Sequence, residues 1–330
     1  MNEINLYPLT FTPVLKDYIW GGRNLEKLGR KLPDGIVAES WEIAGHEDGT
    51  TIVDNGYFAG KKLTEVHTLL GLDLIGLNNA WAQERGKFPL LIKLLDANNP
   101  LSVQVHPKDE YTLTNEGNEL GKTEMWVVLH AEPKAQLIIG VKRGTTPQNF
   151  RQGIEDGYLE PFLNYLPVKT GDHLCVPAGS LHSILGGVLI AEIQQNSNTT
   201  YRVYDWNRVG ADGKPRPLHI DNALDVINFE QVEPVICPPV LIEEEKGIRR
   251  LELCRNAYFV TERLEFEAGA IYHGKCNGNS LEIWGTIQGS AIINQVQLDA
   301  VRFTLLPAAM GEFTVLAQSK ASLLRTYVEK

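Results

Sequence analysis

Residues 93–124 read KLLDANNPLSVQVHPKDEYTLTNEGNELGKTE and combine strand periodicity with side chains suited to a metal. Between Leu101 and Val105 apolar and polar residues alternate, the period-2 pattern of a strand with one buried face. Gln104 and His106 therefore share one face and Val103 and Val105 the other. Lys122 and Glu124, two residues apart, share a face in the same way if their segment is extended.

Working outward toward the N-terminus, residues 89–95 form a continuous apolar run interrupted by Lys93. A charged amine persists in such a run when it snorkels to solvent or meets an anion. Residues 61–85 carry helical periodicity through Leu63, Val66, Leu69 and Leu70, with Gly71 as an interruption. The segment ESWEIAGHEDG, residues 39–49, reads as a short strand entering a glycine-rich turn. Glu39, Glu42 and His46 are ligand-type residues there, but their spacing is equally that of structural side chains. Residues 6–14 are a further strand, limited by Pro8 and Pro13.

Toward the C-terminus, residues 125–129 and 136–141 are strand candidates separated by a polar turn. Thr146 followed by Pro147 is a helix start, and Phe150, Ile154, Phe162, Leu163 and Leu166 supply an apolar helical face broken near Gly157. Strands resume over residues 173–184, 188–194 and 201–204, and residues 221–229 read as a short helix. Pro234, Pro238 and Pro239 mark a linker. Beyond it, strand candidates at 258–266, 280–287, 291–296, 301–305 and 313–317 make the last part all-β. This divides the chain into residues 1–235, with helical insertions, and a smaller β domain over 236–330. A weak internal echo supports a degenerate repeat: Glu124-Met125-Trp126 matches Glu282-Ile283-Trp284, and VPAGSLHSI from Val176 matches LPAAMGEFT from Leu306. In the second copy Glu312 stands in place of His182, and no Gln-x-His pair occurs.

Gln104, His106, Glu124 and His182 form the sharpest chemical set, because all lie on or beside strand candidates that a small antiparallel barrel could bring together. Two neutral imidazoles, a carboxylate and an amide suit zinc and leave room for a further oxygen ligand; ligand type alone leaves nickel, cobalt, manganese and iron open. The alternative is a pair of strand histidines satisfied by backbone carbonyls. Arg202, in NTTYRVYDWNR, offers either an ion pair within a sheet or a fixed positive fork for an oxyanion. Lys122 places an amine beside the same ligands.

The motifs ESWEIAGHEDG, LLIKLLDANNPLSVQVHP, ELGKTEMW, VPAGSLHSI and QQNSNTTYRVYDWNR together resemble the type I phosphomannose isomerases, particularly their short bacterial form. The likeness is strongest over residues 39–208 and looser beyond about residue 235. It implies a mainly β cupin-type barrel (jelly roll) with helical insertions, plus a second, smaller cupin-like β-barrel domain. It also implies a zinc-dependent aldose–ketose isomerase that interconverts mannose 6-phosphate and fructose 6-phosphate through a cis-enediol. By motif, Gln104, His106, Glu124 and His182 become the ligands of one zinc ion per chain. Arg202, Lys122 and Glu192 become catalytic residues, and Ser102 and Lys93 line the substrate pocket with Lys122 and Arg202. A cupin oxygenase or a non-catalytic sugar-binding cupin would use similar ligands, the first with a demand for oxygen, the second without turnover.

Composition is ordinary for a globular protein: the 330 residues are 43% hydrophobic and 22% charged, with a net charge of −10. That charge disfavours nucleic acid and anionic membrane surfaces as partners. No apolar run reaches the ~18–20 residues of a membrane span, and MNEINLYPLTFTP lacks a signal-like start, so a cytoplasmic protein is expected. Cys175, Cys237, Cys254 and Cys276 are spaced without a CxxC pair and read as reduced, packed thiols. No heptad seam appears, and a monomer or weak homodimer is expected.

Overall fold

The computed structural model describes residues 5–210 and 213–329. The chain is mostly β and sorts into two compact units that interleave in sequence. One comprises residues 15–39 and 94–237, the other the residues up to 14, 40–93 and 238–330.

The unit containing residues 94–237 is a two-sheet sandwich. Its five-stranded sheet runs in the order Leu163–Pro167, Gln136–Val141, His182–Ile184, Val103–Val105, Tyr201–Tyr204. A second sheet, six-stranded in all, carries within this unit the strand order His173–Val176, Glu124–Ala131, Val188–Gln195. Trp126, Val128, Val176, Val188 and Ile190 of the second sheet pack against Leu137, Ile139 and Ile184 of the first. Each such buried aliphatic side chain contributes about 1.5–3 kcal/mol over its exposed state.

Alternation puts a second apolar layer on the outer face of the five-stranded sheet. Val103, Val105, Ile138, Tyr201 and Val203 point there and are covered by Phe150 from the helix Pro147–Glu155 and Ala223 from the helix Ile220–Val226. The jelly-roll arrangement is thus present, but its sheets stay open at their edges and do not close into a barrel.

The other unit repeats the architecture. A six-stranded sheet (Val240–Glu245, Ile248–Arg255, Val260–Phe266, Ala321–Tyr327, Glu282–Gln288, Arg302–Leu306) faces a four-stranded one (Ile271–Cys276, Gly311–Ala317, Ala291–Ile293, Val296–Leu298). Leu264, Phe266, Trp284, Phe313 and Val315 form the core between them.

Several local expectations are corrected. Leu163 and Leu166 belong to a strand, not a helix, because the helix begun at Thr146 ends at Glu155 and Gly157 turns the chain back with φ 66°. The helical stretch of residues 61–85 is three short α-helices, Leu63–Leu70, Leu72–Ile75 and Ala80–Glu84, and a 3-10 turn, Leu77–Asn79, with Gly71 and Gly76 as breaks. Residues 173–184 are two strands joined by a turn. Cys237 and Cys276 are free, whereas Cys175 and Cys254 are disulfide-bonded. The expectation of four reduced thiols fails because spatial approach is not encoded in cysteine spacing. No helix among the described residues is long and apolar enough to cross a membrane.

Candidate metal and active site

The site is a row of side chains across the inner face of the five-stranded sheet. His182 is paired with Ile139 on one side and Gln104 on the other, and Gln104 is paired in turn with Arg202. Directly opposed residues of antiparallel strands project to the same face. Because Val103 and Val105 are drawn into the outer apolar layer, Gln104 is forced inward, where His182 and Arg202 already stand.

The six-stranded sheet supplies the facing groups. Along Glu124–Ala131 the inward positions run Val128, Trp126, Glu124, and along Val188–Gln195 they run Ile190, Glu192, Gln194. Both strands change from apolar to polar toward the same end. The sandwich is therefore dry in its middle and polar at one rim. Trp126 sits at the transition: its Nε1 donates to Glu192 Oε2 at 3.2 Å, and its ring meets His182 edge-on at 5.3 Å.

His106, Glu124 and His182 bring ligand-type atoms within 4.8 Å of one another, and all three residues are buried. His182 Nε2 lies 3.4 Å and His106 Nε2 3.8 Å from Glu124 Oε1. Each ring's other nitrogen is oriented by a carbonyl: His106 Nδ1 is 2.8 Å from Thr199 O and His182 Nδ1 is 2.9 Å from Ser180 O. A carbonyl only accepts, so the proton sits on Nδ1 in both rings and both Nε2 lone pairs point inward. Desolvation holds the His182 imidazole down at about 4, against the hydrogen bond to Ser180, so it is neutral near pH 7. Two neutral nitrogens and a carboxylate, fixed by backbone acceptors, fit a divalent transition metal.

Gln104 borders the same cluster, with Nε2 3.3 Å from His182 Nε2 and Oε1 accepting from Ser102 Oγ at 3.1 Å. Its oxygen and nitrogen exchange by a half-turn of the amide. Lys122 is buried with Nζ 3.1 Å from His106 Nε2 and 3.2 Å from Glu124 Oε2. Arg202 has a buried Nε with no hydrogen-bond partner. Burial, then the charge of Arg216, pulls its guanidinium below the ordinary arginine value.

Two turns complete the geometry. In VPAGSLHSI, Gly179 adopts φ +91°, and its N–H donates to His106 O at 2.8 Å. The turn after Gln195 is held by Gln194 Nε2, which donates to the carbonyls of Gln195 and Ser197 and so sets the loop that carries Thr199.

Eight of the nine residues singled out by sequence (Ser102, Gln104, His106, Lys122, Glu124, His182, Glu192 and Arg202) lie in one compact unit. Lys93 falls just across the division, which runs between it and Leu94, and holds its Nζ 5.1 Å from the centre of the Trp41 ring. Glu42 accepts from Ser40 Oγ and His46 Nδ1 from the backbone of Asp48. Sequence reasoning missed Trp126, Gln194 and Gln195. The last two stand in the QQNSNTTYR motif, but nothing in its spacing reveals which glutamine holds which loop.

Known proteins resemble the chain closely. Residues 9–131 match the family described as phosphomannose isomerase type I, catalytic domain. "Probable mannose-6-phosphate isomerase GmuF" of Bacillus subtilis (strain 168) is 37% identical over 317 residues, covering 94% of this chain and 96% of that protein. Mannose-6-phosphate isomerase ManA of the same organism is 41% identical over 228 residues, 68% of this chain and 69% of its own. A crystal structure of the mannose 6-phosphate isomerase from Bacillus subtilis superposes with a TM-score of 0.84 at 31% identity, covering 97% of this chain and 99% of that one. A family match over the segment that includes Gln104, His106, Lys122 and Glu124, together with relatives alike over nearly their whole length, shows that this chain is an isomerase belonging to the type I phosphomannose isomerases.

Proposed function

We propose that the enzyme interconverts mannose 6-phosphate and fructose 6-phosphate through a cis-enediol, with one zinc ion held by Gln104, His106, Glu124 and His182. The observation that carries this reading is the convergence of both histidine Nε2 atoms on the Glu124 carboxylate, with the Lys122 amine against the same two groups. Zinc bound there supplies Lewis acidity toward an oxygen of the open-chain sugar.

The chain's own residues do the rest. Lys122 takes the proton from C2 on Nζ as O1 gains a proton, giving the enediol, and returns it to C1 on the same face as O2 loses its proton, so that a net C2-to-C1 and O2-to-O1 proton shift converts aldose to ketose without redox change. Arg202 turns its unspent Nε toward the oxygen on which negative charge develops, a contribution that grows as the enediol forms. Glu192, held by the Trp126 indole, is the rival proton carrier. Ser102 orients Gln104, and Ser102, Lys93, Lys122 and Arg202 bind the substrate.

On this reading residues up to about 235 carry the chemistry and the remainder is structural. The protein is cytoplasmic, a monomer or weak homodimer, and its partner is a small anionic sugar, not nucleic acid or membrane. The net charge of −10 supports the last point, since only local cations such as Arg202 attract an anion to it. A coupled assay of mannose 6-phosphate turnover, run with zinc, with chelator and with zinc restored, tests the proposal. Activity should vanish with chelator and return with zinc; zinc-replete protein without turnover overturns the reading.

A further inference from the structure

The segment that delivers Lys122 and Glu124 is not held by the sheet ladder alone. Gly121 N donates to Asp109 Oδ1 at 2.8 Å, Lys122 N to Pro107 O at 3.0 Å, and Thr123 N to Gln195 Oε1 at 2.8 Å. Three successive amides thus end on three acceptors from two different segments, residues 107–109 and Gln195. Gln195 N returns a bond to Thr123 O at 3.1 Å, and Ala178 N donates to Thr123 Oγ1 at 3.3 Å. The two side-chain acceptors are themselves joined: Gln195 Nε2 lies 3.2 Å from Asp109 Oδ1 and 3.3 Å from Oδ2. Gly121 admits this approach because it lacks a Cβ, which would stand 2.5 Å from Asp109 N.

We infer that Asp109 and Gln195 form a positioning clamp for the isomerisation. Neither touches His106, Glu124 or His182 through its side chain in the bonds above; together they fix the backbone on both sides of Lys122. The amide of Gln195 is fully committed, with its oxygen accepting from Thr123 and its nitrogen donating to Asp109. Its orientation is therefore decided by its partners. Rotation of the Lys122 backbone would move Nζ out of reach of His106 and Glu124 while leaving the sandwich core intact. The inference rests on Lys122 as the proton carrier, and adds the residues that aim it.

The donor–acceptor direction supplies a test. Gln195→Glu keeps an acceptor for Thr123 N but sets a carboxylate against that of Asp109. Adding Asp109→Asn restores one donor and one acceptor across the contact with the direction reversed, and leaves an acceptor for Gly121 N. Gln195→Glu should lower kcat by about 10²-fold with KM nearly unchanged, the scale of a misaimed catalytic group. Bound zinc should stay at the parental level. The Gln195→Glu, Asp109→Asn pair should return kcat to within about fivefold of the parent, a coupling that independent sites do not show. A single variant with parental kcat, or a pair that recovers Tm without recovering kcat, overturns the clamp. Lys122→Met separates the two ideas: if it is inactive while Gln195→Glu is fully active, only the clamp fails. If Lys122→Met turns over normally, the proton-carrier reading fails.

Discussion

At Lys122 an amine meets an imidazole at 3.1 Å and a carboxylate at 3.2 Å inside a buried rim. On the proposed reading that amine carries the proton, which gives a purpose to a lysine buried beside two metal-type ligands. If Lys122 is the proton carrier proposed above, Lys122→Met should keep its metal content and lose about 10²–10⁴-fold in kcat, the usual worth of a placed acid–base group, as read by the coupled assay with metal analysis. His182 gives a second residue-scale prediction, for the metal-free protein. Its folded value of about 4 lies below the ordinary 6.5, so the unfolded chain takes up the proton first as pH falls. Stability from this group is thus complete above about pH 6.5 and drains away down to about pH 4, by about 3 kcal/mol at most. Urea unfolding of the apoprotein across that window should show the slope, and His182→Gln should flatten it.

Among the elements, the strand Val103–Val105 orients the cluster through alternation alone, since the outer apolar layer claims both valines. That layer depends on the helix Pro147–Glu155, whose start is a capping box: Asn149 N donates to Thr146 Oγ1 and Thr146 N to Asn149 Oδ1. Thr146→Ala should cost about 1 kcal/mol in denaturant unfolding, the usual worth of an N-cap, with turnover unchanged because the helix covers the face opposite the site. This start was legible from Thr146-Pro147, whereas its end was not. Leu163 and Leu166 fit a helical face equally well, and tertiary pairing with Gln136–Val141 decided for a strand.

For the whole molecule, the echo between the two sandwiches sharpens what makes one of them a site. Glu282 and Trp284 occupy strand positions like those of Glu124 and Trp126, and Trp284 Nε1 donates to Glu282 Oε2 at 2.8 Å. The cation there belongs to the chain: Arg325 Nη2 bonds Glu282 Oε1 at 2.5 Å, and Arg325 Nη1 lies 3.4 Å from Glu262 Oε2. Glu312, at the His182 position of the motif, is exposed. Among the described residues only His106, Glu124 and His182 form a metal-type group. Arg325→Met should therefore destabilise the protein by about 3–5 kcal/mol in urea unfolding, since it leaves the buried Glu282 carboxylate without its cation, whereas Glu262 keeps Arg250 and Tyr327; metal binding at the other sandwich should persist.

Alternation in QVH, the Gly-Ser-Leu-His turn and the glutamate after Lys122-Thr123 were readable because strand period and turn chemistry are local, and they yielded the β class, the inward face and the metal-type character of His106, Glu124 and His182. Only the tertiary structure decided that residues 40–93 sort with the C-terminal β unit and that Gln104 stands between His182 and Arg202. It also decided that Thr199 and Ser180 orient the two imidazoles, and that Asp109 reaches Gln195. The reason is physical: a backbone carbonyl carries no side-chain signature, and hydrogen bonds between residues 86 apart depend on the strand order that folding sets, not on any local pattern.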